Sequence, residues 1–222
     1  MNGSIVQPST LIKQLVQFWL PMLLAIAVCY GWIDRAACEW VYSHGLREYL
    51  NPLKTLVEWP PIITGIAPLL LGTAMFLPPG RARHLLILLG ISVLLTFVVK
   101  NDLKWVFSRY WPLTWIHENP SWISNHAYGF QWFQGSLFQG SDRTGSFPSG
   151  HAAVAFAALL PVGIVYRRLM GIALVVAMLE AFSMVAFGYH FMSDILAGAL
   201  VGISCVLLTK RLLLVADNKQ GI

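Results

Sequence analysis

Charged residues are so spaced that they leave six long apolar stretches: Gln14 to Ile33, Trp59 to Gly80, Leu85 to Val99, Ala152 to Tyr166, Leu169 to Tyr189 and Ile195 to Thr209. Backbone groups in hydrocarbon must be satisfied within their own segment, so such stretches predict transmembrane helices. The third, fourth and sixth are short for a hydrocarbon core roughly 30 Å thick. Extending each by a helical turn or two draws charged residues into the helix, which gives those charges a role. The expected fold is all-α: a six-transmembrane-helix bundle with long outer loops carrying short interfacial helices, organised as a single domain over residues 1–222.

Composition supports lipid as the preferred solvent, with 57% hydrophobic and 11% charged residues and a mean hydropathy of +0.65. A soluble enzyme is excluded on that ground. The first stretch follows Lys13 like a signal peptide, but it is long and lacks a small-x-small exit, so it reads as a retained span. Cys29, Cys38 and Cys205 are scattered and specify neither a disulfide framework nor a metal site.

Arg81, Arg83, Arg167, Arg168, Lys210 and Arg211 fall in short connections or after the last span without nearby acids. With Lys13 they mark the cytoplasmic side, which places both termini inside a bacterial-type inner membrane. The long connections, 34–58 and 100–148, then face the periplasm or exterior. Eight of the nine tryptophans lie in or beside them, as suits amphipathic rings at headgroup level. The net charge of +5 divides between the two faces and forms no stripe for nucleic acid. The partners expected are the bilayer and a lipid within it.

His151 stands sixteen residues before Arg167, and Asp194 sixteen before Lys210. At about 1.5 Å per residue both lie roughly 24 Å above the inner charges. Lys100, above His84, reaches the same level. Ionisable groups at that depth need a partner or a watery cavity and are functional candidates. Pro148-Ser149-Gly150-His151 opens a helix, whose unpaired N–H groups and positive dipole end favour an anion. His190 and Asp194 are spaced i, i+4, so the carboxylate can hold one ring nitrogen's proton and leave the other nitrogen nucleophilic. Taken singly, either string also fits a plain helix start or an interfacial hydrogen bond.

Together, Lys104 with Arg109, Trp111 and Pro112, then Pro148 to His151, then Ser183 with His190 and Asp194 resemble the three signature motifs of the type 2 phosphatidic acid phosphatase family, over about residues 85 to 200. That resemblance implies an integral membrane lipid phosphatase working without metal or other cofactor. In it His190 attacks phosphorus, Asp194 orients His190, His151 protonates the leaving oxygen, and Lys104, Ser149 and the Gly150 amide hold phosphate oxygens. Water then hydrolyses the phosphohistidine. Phosphatidate, phosphatidylglycerol phosphate, a polyprenyl diphosphate and lipid A phosphate are all admissible substrates.

Two positions depart from the family's pattern. Its first motif ends in Arg-Pro, but Trp111 precedes Pro112 here; its third begins Ser-Arg, but Met184 follows Ser183. Losing one preorganised donor can cost on the order of 10²- to 10³-fold in rate. Arg109 and Arg143 are the expected replacements, with Lys100 a weaker one. A phosphotransferase using the same histidine, and a catalytically silent protein that binds headgroups or transports a solute through Glu180, are the alternatives. Glu180 midway along the fifth stretch reads first as a protonated, hydrogen-bonded carboxyl. His117 and His126 lack ligand-like companions and read as loop histidines, while His44 and His84 read as interfacial. The aromatic segment 110–138 is expected to form an interface layer, part of it bordering the site as a lid or acyl-chain groove.

Overall fold

The computed structural model describes residues 8–114, 118–139 and 143–220. Helix α1 (Pro8–Val28) passes through one π-helical turn (Cys29–Ile33) into α2 (Asp34–Ser43). The short α3 (Leu46–Leu50) and a 3-10 segment (Asn51–Val57) lead to α4 (Trp59–Phe76), whose first turn carries Pro60 and Pro61, residues pre-set for a helix start. Then come α5 (Arg81–Phe107), the short α6 (Trp122–Asn125), α7 (Gly150–Val165), α8 (Met170–Ala186) and α9 (Met192–Gln220). Among the described residues, five stretches are long and apolar enough to cross a membrane: Val16–Ser43, Leu46–Phe76, Arg81–Phe107, Arg167–Ala186 and Met192–Ala216. The sixth expected span is the shorter apolar helix Gly150–Val165. Extension by charged turns occurs in two of the three short stretches, since α5 carries Lys100 and Lys104 and α9 takes in Asp194, whereas α7 gains only Gly150 and His151 at its start and ends before Arg167.

Helix α7 is apolar all round and lies at the centre, packed against α4, α5, α8 and α9. Its run from Ala152 to Ala158 is buried throughout. Small residues let the backbones approach. A Cβ on Gly198 would lie 2.4 Å from the Ser149 carbonyl, and one on Gly202 would lie 2.2 Å from that of Ala153. This small-xxx-small seam on α9 therefore sets its distance from the start of α7. The opposite sides of the outer helices expose Leu23 and Leu24 on α1, Leu69 on α4, Leu179 on α8 and Leu212 on α9. Lipid is the environment that suits them. The chain is a multi-pass membrane protein.

The connection between α5 and α7 folds over one end of the bundle. Single bridges pair Arg109 with Phe130 and Trp111 with Ser121, and Ser146 N–H donates to the Arg109 carbonyl at 3.1 Å. Phe107, Phe130, Trp132 and Phe147 form one aromatic layer in this cap.

Candidate active site

Helix α8 ends where Gly188 adopts φ +69. Gly188 N–H then bonds the Val185 carbonyl at 2.9 Å and Tyr189 N–H bonds that of Met184 at 2.9 Å, the two hydrogen bonds of a Schellman ending. A side chain at 188 would be strained by φ and would also meet Leu113 Cδ1 at 2.3 Å. That tight exit is followed directly by His190, whose N–H also reaches the Met184 carbonyl, at 3.1 Å. Two residues later α9 begins. Asp194 in its first turn reaches back to accept from Phe191 N–H at 2.9 Å, the backward half of a capping box.

The Asp194 carboxylate is wholly buried and fully engaged. Oδ2 accepts from Ser146 Oγ at 2.5 Å and faces His190 Nδ1 at 3.6 Å; Oδ1 accepts from Arg109 Nη1 at 2.5 Å. With Nδ1 turned toward the carboxylate, His190 can present Nε2 to the adjoining cavity. Burial holds its pKa below the ordinary histidine value, against the pull of Asp194, which keeps the ring neutral.

That cavity, of about 520 Å³, is lined by His151, His190, Gly150, Lys100 and Lys104, with Trp111 and Met184 among its walls. Ser149 caps α7 by accepting from Ala152 N–H at 3.4 Å. Its own N–H donates to the Asp194 carbonyl at 3.0 Å, which ties the start of α7 to the start of α9. The next two residues, Gly150 and His151, therefore open onto the cavity beside His190. The Lys104 ammonium bonds the Gly145 carbonyl and stands 5.2 Å from the Trp111 ring. Trp111 in turn lies 5.4 Å from the His190 ring.

His151, His190, Lys104 and Gly150 thus meet on one cavity, with Asp194 immediately behind His190. Three other expected ligands are placed differently. Ser149 is buried as a cap and is not among the lining residues. The expectation that Arg109 holds a phosphate oxygen is not met, because its side chain is fully enclosed. Nη2 binds Asp34 Oδ2 at 2.8 Å while Nη1 binds Asp194 and Ser193 Oγ, the latter at 2.6 Å. Phe191, Tyr30 and Tyr128 surround the guanidinium at 4.3, 4.9 and 5.0 Å. Burial works against its charge, but Asp194 and Asp34 outweigh that and raise its pKa above the ordinary arginine value. Arg143 is exposed and lies outside the cavity lining; its neighbour Asp142 lies outside the described residues.

Asp34 and Ser146 are site residues that sequence reasoning misses. Asp34 is 1% exposed and accepts from Ser193 N–H at 2.9 Å as well as from Arg109 and the Ser193 hydroxyl. The signal available was an acid directly after an apolar run, in a segment read as the start of an outer loop. Glu180 is buried one helical turn from Met184, within hydrogen-bonding reach of the Trp59 side chain. Its Oε1 has no hydrogen-bond partner among the described residues. Among the described residues of the segment 110–138, only Trp111 lines the cavity. His126 stacks edgewise on Trp122, and His117 lies outside the described residues. Among the described residues no three His, Cys, Asp or Glu side chains are grouped as metal ligands.

A structure described as the first transmembrane PAP2 type phosphatidylglycerolphosphate phosphatase from Bacillus subtilis is similar to this chain, with a TM-score of 0.51 and 22% identity. The match covers 92% of this chain and 96% of that one, and at such identity it speaks for the fold. Comparison with curated proteins gives no match. The family model of the PAP2 superfamily matches residues 85–216, more than half of the sequence and the stretch that holds Lys104, His151, His190 and Asp194. The chain belongs to the PAP2 superfamily, the type 2 phosphatidic acid phosphatases that its motifs resemble.

Proposed function

We propose that the protein hydrolyses a lipid phosphate or lipid diphosphate at the extracytoplasmic face, through a phosphohistidine on His190. The observation that carries this reading is the convergence of His190, its Nδ1 turned to Asp194, with His151 and Lys104 on one cavity. In the first step the lone pair of His190 Nε2 attacks phosphorus and the bond to the lipid oxygen breaks. His151 gives its proton to that leaving oxygen. In the second step water attacks the phosphohistidine, His151 takes a proton from it, and inorganic phosphate leaves as the P–N bond breaks. One imidazole serves as nucleophile and the other as acid in the first step and base in the second. Lys104 and the Gly150 amide at the start of α7 stabilise the charge spread over the transferring group.

Access by a lipid suits the cavity's surroundings. Pro60, Pro61 and Thr64 of α4, Phe97 of α5 and Val154 of α7 complete much of its wall, and Phe97 is 40% exposed on the outward side of α5. A headgroup at Lys104 thereby leaves its chains a way out along apolar helices.

The test is phosphate release by the purified full-length protein from a panel of phosphatidate, phosphatidylglycerol phosphate, polyprenyl diphosphate and lipid A in detergent with excess chelator. Stoichiometric release from at least one, abolished in His190→Ala, is the expected result. Phosphate appearing on another lipid instead of in solution would make the protein a transferase, and no turnover of any panel member would overturn the proposal.

A further inference from the structure

The cavity contains an excess of positive charge carried entirely by lysines. Among the described residues, Lys54, Lys100 and Lys104 line it together with one carboxylate, Glu58, and no arginine is among the lining residues. The two places where the family resemblance implies guanidinium groups, 111 and 184, are filled on this same cavity by Trp111 and Met184. Arg109 is spent on Asp34 and Asp194, and Arg143 lies outside. A transferring phosphoryl group with Lys104 as its sole cation would lack much of the charge stabilisation that such chemistry relies on.

We infer that Lys100 supplies the second cation on the phosphoryl group, a role that rests on the phosphatase reading above. Lys100 and Lys104 are i, i+4 on α5, so both ammonium groups project from one face of that helix. The Lys100 stem lies across the start of α7. Its Cδ, Cε and Nζ stand 3.5, 3.6 and 3.7 Å from the point where Gly150 would carry a Cβ. The ammonium is therefore close to Gly150 at the start of α7, and both residues line the cavity, where a helix start favours an anion.

Its neighbours leave that charge available. Nζ donates to the neutral Asn101 Oδ1 at 2.7 Å and lies 4.8 Å from the Phe97 ring. Asn101 is itself fixed by donating to the Phe138 carbonyl at 2.8 Å. Among the described residues, no carboxylate forms an ion pair with Lys100. Lys54 differs, since it pairs with Glu58 at 3.4 Å while both side chains remain partly exposed at the rim. A lysine in place of an arginine acts as a compact point charge without the planar two-pronged fit, so the site is built for charge more than for the orientation of one headgroup.

The experiment uses Lys100→Met and Lys100→Arg in the full-length protein, with His190→Ala beside them. Two quantities are read: kcat/KM on the best lipid phosphate, and orthovanadate binding followed by the protein's thermal unfolding, which needs no turnover. Lys100→Met is expected to lower kcat/KM on the order of 10²- to 10³-fold and to weaken orthovanadate binding by at least tenfold. Lys100→Arg, which keeps the charge, is expected to recover part of both. Unchanged kcat/KM and vanadate binding in Lys100→Met, with activity still abolished in His190→Ala, would overturn the inference and leave the phosphatase reading standing. Loss of both in Lys100→Met without recovery in Lys100→Arg would also overturn it, because shape rather than charge would then be what the site needs. Activity that survives His190→Ala would instead sink the reading beneath it.

Discussion

Arg109 shows how far a side chain's task can lie from its place in a motif. It sits within the first signature string, two residues from the position where a phosphate-holding guanidinium is expected, yet it serves two buried carboxylates. Each of its terminal nitrogens is used by a different partner, Nη1 by Asp194 and Nη2 by Asp34. A lysine has one nitrogen and cannot span both. Removing the guanidinium would strand two charges, and breaking a buried pair costs about 3–5 kcal/mol. Arg109→Ala and Arg109→Lys are therefore both expected to lower the thermal unfolding temperature and to abolish turnover, whereas Arg143→Ala should leave both unchanged. Measuring unfolding alongside phosphate release separates this from a clamp on substrate: a folded Arg109→Ala protein of normal stability that has merely lost affinity would contradict the assignment. Sequence could locate Arg109 but not its burial, because its partners Asp34 and Asp194 are 75 and 85 positions away in the chain.

Helices were the most readable level. Charge-free gaps located the apolar segments, and the short ones called for extension into turns that carry Lys100, Lys104 and Asp194. What stayed hidden was the continuation of the first span. A π-helical turn at Cys29–Ile33 carries the chain unbroken into α2, so Asp34 enters the site from a helix instead of starting a loop. No residue in 29–33 breaks the apolar pattern to announce it. Seams between helices were likewise silent, since a glycine that permits close approach looks like any other glycine. Gly198 and Gly202 are such cases, one helical turn apart on α9 and pressed against the backbone of α7. Because Ser149 N–H bonds the Asp194 carbonyl across this seam, widening it should pull the Asp194–His190 pair away from His151. Gly198→Leu and Gly202→Leu are each expected to lose at least tenfold in turnover and to unfold at lower temperature. Gly171→Leu, with nothing within 4 Å of its Cβ position, serves as the tolerated control. Equal activity in all three would show that the seam does not position the site.

At the scale of the whole molecule, chemistry and topology charges occupy opposite ends of the same helices. Arg81 at the start of α5 and Arg167 and Arg168 beyond the end of α7 border one surface hollow, while His151 at the start of α7 and Lys104 near the end of α5 border the cavity. If uncompensated Arg and Lys residues stay on the cytoplasmic side, the cavity must open toward the outer leaflet, and a lipid phosphate has to be presented there before it can be cleaved. Single cysteines test this, since Cys29, Cys38 and Cys205 are buried and give a low background for labelling. Arg143→Cys, at an exposed position in the connection before α7, should react with a membrane-impermeant maleimide in intact cells. Arg168→Cys should react only after the membrane is opened. The reverse order would place His190 on the cytoplasmic side, and the enzyme would then draw its substrate from the inner leaflet, where lipid phosphates are delivered by synthesis and need no transfer across the bilayer.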